Sequence, residues 1–492
     1  MNLCAFLTYS RIFLKVPTRA IAFALFLLTV TSAFSQTDDH LDNSKLSGQA
    51  NEKRVISLIT ISGNKRTKEK IILRELAFKA GDSLTVKETE KRIERSKQNL
   101  INTSLFNFVT ITPIYAVDSS SVVLLLDVKE RWYLWPAPIF EIQDRNFNSW
   151  WQTKDMFRIN YGMYLTMENV RGRNESAVLK FRKGYTELYG FSYKIPFINK
   201  KQTVGLSASY NFLRNNEVAY CTYGNRLQFN RNYKKFMRKE KEAKLGLTFR
   251  KGLYTRHFLE LLYCESYVDD TIKNLNKNYF GENIGSVSYF SMQYRYKRDY
   301  RDAKIFPLRG YYYELSLVKD GLNLLKNENV DNFTADAVVK NYWSPMKRFF
   351  VGTALRLRYK LFNTSGYYFN RALGYNDFVR GYEYYVVDGQ TFAMLKANVN
   401  FQLVKPRVVT IPVKRLEKFN RIPYSIYLSA HADAAFVQDK VFYNDNPLSN
   451  SWLGGTGLGV SFVTYYDYVL RVEASVNKLR EKGIFLHFSA PL

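Results

Sequence analysis

The chain has 492 residues, enough for two or three folding units. Hydrophobic residues make up 46%, yet mean hydropathy is only -0.30, so polar residues must be interspersed among apolar ones. Beyond the extreme N-terminus no apolar run reaches the ~18–20 residues of a membrane-spanning helix. The formal net charge of +28 points to an anionic partner. The N-terminus argues against nucleic acid and leaves lipid phosphate groups or a basic lumen.

Residues 1–35 read as a secretory signal peptide. Arg11, Lys15 and Arg19 are positive. Ala20 to Thr31 is an apolar core, and Ala33-Phe34-Ser35 before Gln36 offers a small-x-small cleavage site. The alternative is a short anchor helix. No Cys follows the core, which argues against a lipoprotein. Cys4 leaves with the signal, so Cys221 and Cys264 make at most one disulfide. No metal-ligand spacing is present, and no cofactor is expected. Residues 36–53 are polar and read as a linker.

A compact unit follows over 54–131. Val55 to Ser62 alternates as a strand, and Gly63-Asn64 marks a turn. Helical spacing runs from Lys68 to Lys79 through Ile71, Ile72, Glu75 and Phe78. Gly81-Asp82 breaks it. Thr85 with Glu88 forms a capping box that opens a second helix to about Ile101. Phe108 to Tyr115 and Ser121 to Lys129 read as strands, giving a β-α-α-β-β order.

From Trp132 to the end, 132–492, apolar and polar residues alternate between polar turns. Val351, Thr353, Leu355, Leu357, Tyr359 and Leu361 face one way; Gly352, Ala354, Arg356, Arg358 and Lys360 face the other. Leu470, Val472, Ala474 and Val476 alternate with Arg471, Glu473, Ser475 and Asn477. Strand side chains alternate faces, so one face is apolar and the other charged. A soluble sandwich would bury the apolar face. A membrane barrel turns it to lipid and keeps the charges in a wet lumen. The 37 Tyr and 36 Phe suit aromatic girdles. At ~9–11 residues per spanning strand, the roughly 360 residues hold about 16 strands. The expected fold is therefore membrane all-β: an antiparallel outer-membrane β-barrel of about 16 strands behind one small α+β domain.

The first unit resembles a polypeptide-transport-associated (POTRA) domain. The matching residues are Gly63-Asn64, Thr67, Arg74-Glu75, Gly81-Asp82, Leu105-Phe106, Val109 and Glu130-Arg131. The barrel segments resemble the BamA/TamA-type insertase family of bacterial surface antigens. They carry Asp299, Arg301-Asp302, Pro307 and Gly310 in one block, and Asn169, Gly172, Tyr193 and Pro196 in another. Further blocks hold Gly374, Val379-Arg380-Gly381-Tyr382 and Gly389, then Asp433, then the glycine-rich run from Gly454.

In that family the motif at Val379-Arg380-Gly381-Tyr382 sits on a long outer loop folded back into the barrel, its Arg docked on wall carboxylates. A guanidinium makes forked, charge-assisted bonds to carboxylate. Asp433 falls on the lumen face with His431 and is the expected partner. Asn400 stands where the family usually has Glu, so one ionic partner is expected rather than two. The terminal Leu492 also departs from the family's aromatic end.

The resemblance implies a non-enzymatic insertase or translocator in the outer membrane of a Gram-negative bacterium. Its POTRA-like domain lies in the periplasm. Its partners are unfolded outer-membrane or secreted protein clients, lipids and accessory lipoproteins, not nucleic acid. A passive channel and a two-partner-secretion translocator are rival readings. Ser429, His431 and Asp433 form a nominal hydrolase set, but all three lie in a row on one strand, whereas triad members converge from different segments.

Overall fold

The computed structural model describes residues 53–116, 120–142, 150–151, 154–326, 328–362, 366–410, 421–464, 468–488 and 492. The expected signal peptide, and the linker up to residue 52, lie outside them.

The first unit comprises β1 (Lys53–Ser62), α1 (Glu69–Leu73), β2 (Ser83–Thr85), α2 (Val86–Ile101), β3 (Phe106–Tyr115) and β4 (Ser121–Glu130). The sheet order is β2-β1-β4-β3, with β1 and β4 parallel. A parallel pair needs a crossover, and the two helices supply it. Ile56, Ile72, Leu100, Phe106 and Leu124 are fully buried between helices and sheet. The capping box forms: Glu88 N donates to Thr85 Oγ1 at 3.3 Å, and Thr85 N donates to Glu88 Oε2 at 3.0 Å.

Two elements differ from expectation. The first helix stops at Leu73 rather than Lys79. Past it, Glu75 N bonds Ile72 O and Leu76 N bonds Leu73 O, tight bonds that turn the chain so that Leu76 and Phe78 drop into the core. Residues Ser83 to Thr85 form a short strand against β1, which is too brief to show a period.

The rest is one sixteen-stranded sheet with every ladder antiparallel. Its strands are β5 (Leu134–Ile142), β6 (Ile159–Val170), β7 (Glu175–Gly184), β8 (Thr186–Ile195) and β9 (Val204–Asn215). They continue with β12 (Arg238–Lys251), β13 (Thr255–Val268), β14 (Ser286–Asp299), β15 (Gly310–Asp320) and β16 (Asn332–Met346). The last six are β17 (Phe349–Phe362), β18 (Thr391–Thr410), β19 (Arg421–Gln438), β20 (Trp452–Val463), β21 (Val469–Asn477) and β22 (Lys482–His487). A separate hairpin, β10 (Glu217–Tyr223) with β11 (Arg226–Arg231), stands between β9 and β12. Among the described residues no ladder joins β22 to β5.

The outward face is apolar and bare. Leu245 is 60% exposed, Leu361 59% and Leu458 67%. A soluble protein rarely leaves so extended an apolar surface open. A lipid-facing wall requires it, and the soluble sandwich falls on this point. No helix among the described residues is long and apolar enough to cross a membrane.

The two ends of the barrel differ. Turns β6–β7, β8–β9, β12–β13 and β14–β15 carry the first domain. At the distal end, loops from well-separated strands meet. Asn225 N donates to Asn446 Oδ1 at 2.8 Å, Asn276 Nδ2 to the Tyr220 carbonyl at 2.6 Å, and Thr222 Oγ1 to Asp388 Oδ2 at 2.5 Å. Met237, Tyr279, Phe280 and Tyr367 form an apolar cluster beneath them.

Candidate functional site

The segment between β17 and β18 folds into the lumen and rests on β18–β21. Its apolar side buries Val379 and Tyr382 against Met394, Ala435, Val437 and Leu453 of the wall. That packing brings Arg380, fully buried, onto Asp433. Arg380 Nε donates to Asp433 Oδ2 at 2.9 Å, its backbone N donates to the same oxygen at 3.0 Å, and Nη2 bonds Oδ1. Gly381 sits at φ +91°, and its carbonyl accepts from Asn477 Nδ2 at 2.9 Å.

Asn400 does not reach Arg380. The intervening Asn398 accepts from Arg380 Nη1 at 2.7 Å and in turn donates to Asn400 Oδ1 at 2.8 Å. Register explains this: Asp433 lies opposite Lys396 and His431 opposite Asn398, so Asn400 is one lumen row further along. A second carboxylate is nevertheless present. Glu473 Oε1 on β21 lies 3.6 Å from Arg380 Nη1 and 3.1 Å from Arg471 Nε. Asn400 pairs with Ser429, Ser429 with Gly459 and Gly459 with Glu473, so Glu473 occupies the same row as Asn400. His431 and His487 flank Glu473 at 3.7 and 3.5 Å. The inward alternation of β21 showed that Arg471 and Glu473 face the lumen, but not that they reach Arg380. The nominal hydrolase set does not assemble: His431 Nε2 pairs with Ser475 Oγ at 3.1 Å, and Asp433 is held by Arg380.

Gly455 makes this seat possible. A Cβ there would lie 1.8 Å from the Arg380 carbonyl oxygen. Gly455→Val should therefore expel the loop, because backbone must move to admit any side chain. Limited proteolysis within 371–389 would report it; wild-type resistance in the variant would refute the contact.

The remaining expected site residues lie at the junction with the first domain. Asp299 accepts a forked pair from Arg301, at 2.8 and 2.9 Å. Asp302 Oδ1 caps the following turn, accepting from Ala303 N and Leu308 N at 2.8 and 3.0 Å. Pro307 is buried, and Gly310, at φ +102°, starts β15 where a Cβ would strike the Tyr300 carbonyl. This turn is a platform for α2: Asn102 Nδ2 donates to the Asp302 carbonyl at 3.1 Å, and the Arg95 guanidinium stacks 3.9 Å over the Tyr300 ring.

Gly63 and Asn64 begin a second contact, with Asn64 Nδ2 donating to the Thr67 carbonyl at 3.2 Å. Thr67 Oγ1 then accepts from Asn169 Nδ2 at 2.9 Å, and Lys68 N bonds the Gly172 carbonyl at 3.0 Å. Between the two contacts Glu75 reaches into the barrel. Arg250 Nη1 and Nη2 fork onto its carboxylate at 2.6 and 2.7 Å, both residues buried. Burial raises the Glu75 carboxyl, but the Arg250 bonds and charge outweigh it and hold the group below its ordinary 4.5.

Residues 55–131 match the POTRA family model, described as a surface antigen variable number repeat. No curated protein matches the chain. Among solved structures, BamA from Haemophilus ducreyi lacking POTRA domains 1–3 aligns at 14% identity over 88% of this chain and 83% of that one, TM-score 0.48. CdiB from Escherichia coli aligns at 10% identity over 96% and 98%, TM-score 0.49. CdiB from Acinetobacter baumannii aligns at 14% over 88% and 73%, TM-score 0.46. Residues 55–131 thus match a POTRA domain, and the described residues from Leu134 to His487 include a sixteen-stranded antiparallel sheet.

Proposed function

We propose that this protein works in the outer membrane, its POTRA domain in the periplasm, and folds or inserts client proteins into that membrane or passes them across it. The observation that carries the reading is the POTRA domain seated on the barrel turns, with Glu75 reaching inside. A receptor for unfolded chain then stands at the mouth of the barrel. The mechanism needs no covalent chemistry. Strand edges template an incoming strand by backbone hydrogen bonds, and β5 and β22 are the edges of the sheet. The apolar belt meets lipid, and accessory lipoproteins would act from the periplasmic side. A passive channel is disfavoured by the Arg380 loop, which packs its own apolar cluster inside the lumen.

Depletion followed by quantitative proteomics of isolated outer membranes tests this. A defined set of barrel, surface or secreted proteins should fall while inner-membrane proteins hold steady. An unchanged protein complement with altered solute uptake would return the chain to the channel reading.

A further inference from the structure

Beneath the POTRA domain lies a cavity of about 350 Å³, walled by α2, the β14–β15 turn and residues of β6, β7, β8, β12, β13 and β14. Its charges do not balance. Arg250 stands directly opposite Arg256 across β12 and β13, and Arg256 directly opposite Lys297 across β13 and β14. Three cations therefore run side by side along one row of the wall. Like charges directly opposed on neighbouring strands repel. Glu75 answers Arg250, Asp299 is taken by Arg301 and Glu175 by Arg171 and Arg173; with Glu168 the lining has four carboxylates against seven Lys and Arg. Among the described residues Arg256, Lys297 and Lys194 have no carboxylate within 4.0 Å, and the Lys304 ammonium donates to the Asn102 carbonyl. A partly enclosed row of uncompensated cations is a site for an anion.

We propose that this cavity binds an acidic stretch of the client polypeptide on its way from the POTRA domain to the barrel, with Glu75 as a tethered stand-in. The inference rests on the proposed function and names a feature of its substrates. Carboxylate is favoured because the one occupant the row already holds is a carboxylate, delivered by the domain that would receive the client. An extended peptide places alternate side chains on one face, one step per two residues. It can set carboxylates against Arg256 and Lys297 in turn. Such a segment also competes with Glu75 for Arg250, so its arrival loosens the POTRA domain from the floor of the barrel.

The test uses the full chain in lipid nanodiscs and a fluorescent peptide of alternating Asp and Val. A control peptide carries Asn for Asp. The acidic peptide should bind, weaken as salt rises, and lose about tenfold affinity in the double variant Arg256→Gln with Lys297→Gln, as expected for losing charge-assisted contacts. The Asn peptide should not bind. Equal binding of the two peptides, or an unchanged affinity in the variant, overturns the proposal. So does inorganic phosphate occupying the cavity while the acidic peptide stays free, which would make it a phosphate site. Heat-modifiable migration checks that the variant folds. If it does not, Lys304→Gln, in a turn outside the strands, must lower the affinity several-fold, and failure to do so is equally fatal. A chain that passes the depletion test and fails here keeps its function and loses this site. A chain that binds the peptide but changes no outer-membrane protein on depletion loses the client reading instead.

Discussion

Arg380→Ala should destabilise the folded barrel by about 3–5 kcal/mol, because it leaves Asp433 buried without its forked partner. The lumen row then holds Asp433 with only Lys396 near it, at 3.8 Å. Asp433→Asn should cost a similar amount, since Arg380 is itself fully buried. Arg380→Lys should not rescue. An ammonium keeps the charge but cannot bond both carboxylate oxygens and Asn398 together. Glu473→Gln should cost less, about 1 kcal/mol, because Glu473 touches Arg380 at 3.6 Å without a hydrogen bond. Urea unfolding of detergent-folded protein, followed by heat-modifiable migration, orders the four variants. An Arg380→Ala barrel as urea-resistant as wild type would remove the loop from any structural role.

Glu75→Ala should free the POTRA domain without unfolding the barrel. The Arg250 pair is the buried ionic link between the two, and breaking such a pair costs about 3–5 kcal/mol. Spin labels at the exposed positions Glu94 and Arg309 would broaden from one distance to many. Arg250→Gln should do the same, and the double variant should add little, since each change removes the same contact. Acid should mimic the mutation. The Glu75 carboxyl is depressed in the docked state, so its contribution is complete above the ordinary 4.5 and is lost as pH falls through the lower docked value. A distance that stays narrow in Glu75→Ala would mean that the turn contacts of Thr67 and Asn102 hold the domain unaided.

Alternation was the most legible part of the chain. It placed Arg356, Arg358, Lys360 and Asp433 inside and Leu357, Leu361 and Leu470 outside from period two alone. What stayed illegible is what depends on several strands at once. That Asn400 faces the lumen can be read from β18. That Glu473 shares its row depends on three successive registers, and no single strand contains them. The overrun of α1 has a similar cause. Glu75 keeps helical spacing, but it leaves the helix and meets an Arg that lies 175 positions away. β11 alternates like a spanning strand through Leu227 and Phe229, yet among the described residues the β10–β11 hairpin pairs only with itself. Alternation reports a pleated strand, not which sheet it joins.

The seat of Arg380 is assembled along one level of the wall: Lys396 opposite Asp433, Asp433 opposite Gly455, Gly455 opposite Asn477. The loop touches each of the last three, through a side chain, a carbonyl against a bare glycine, and a second carbonyl. A slip of one residue between any two of these strands would turn one member toward lipid. The loop therefore acts as a gauge of the barrel's own stagger. It can lodge only after β18 to β21 have joined in the right alignment, and its lodging marks the point at which that part of the wall is correctly built.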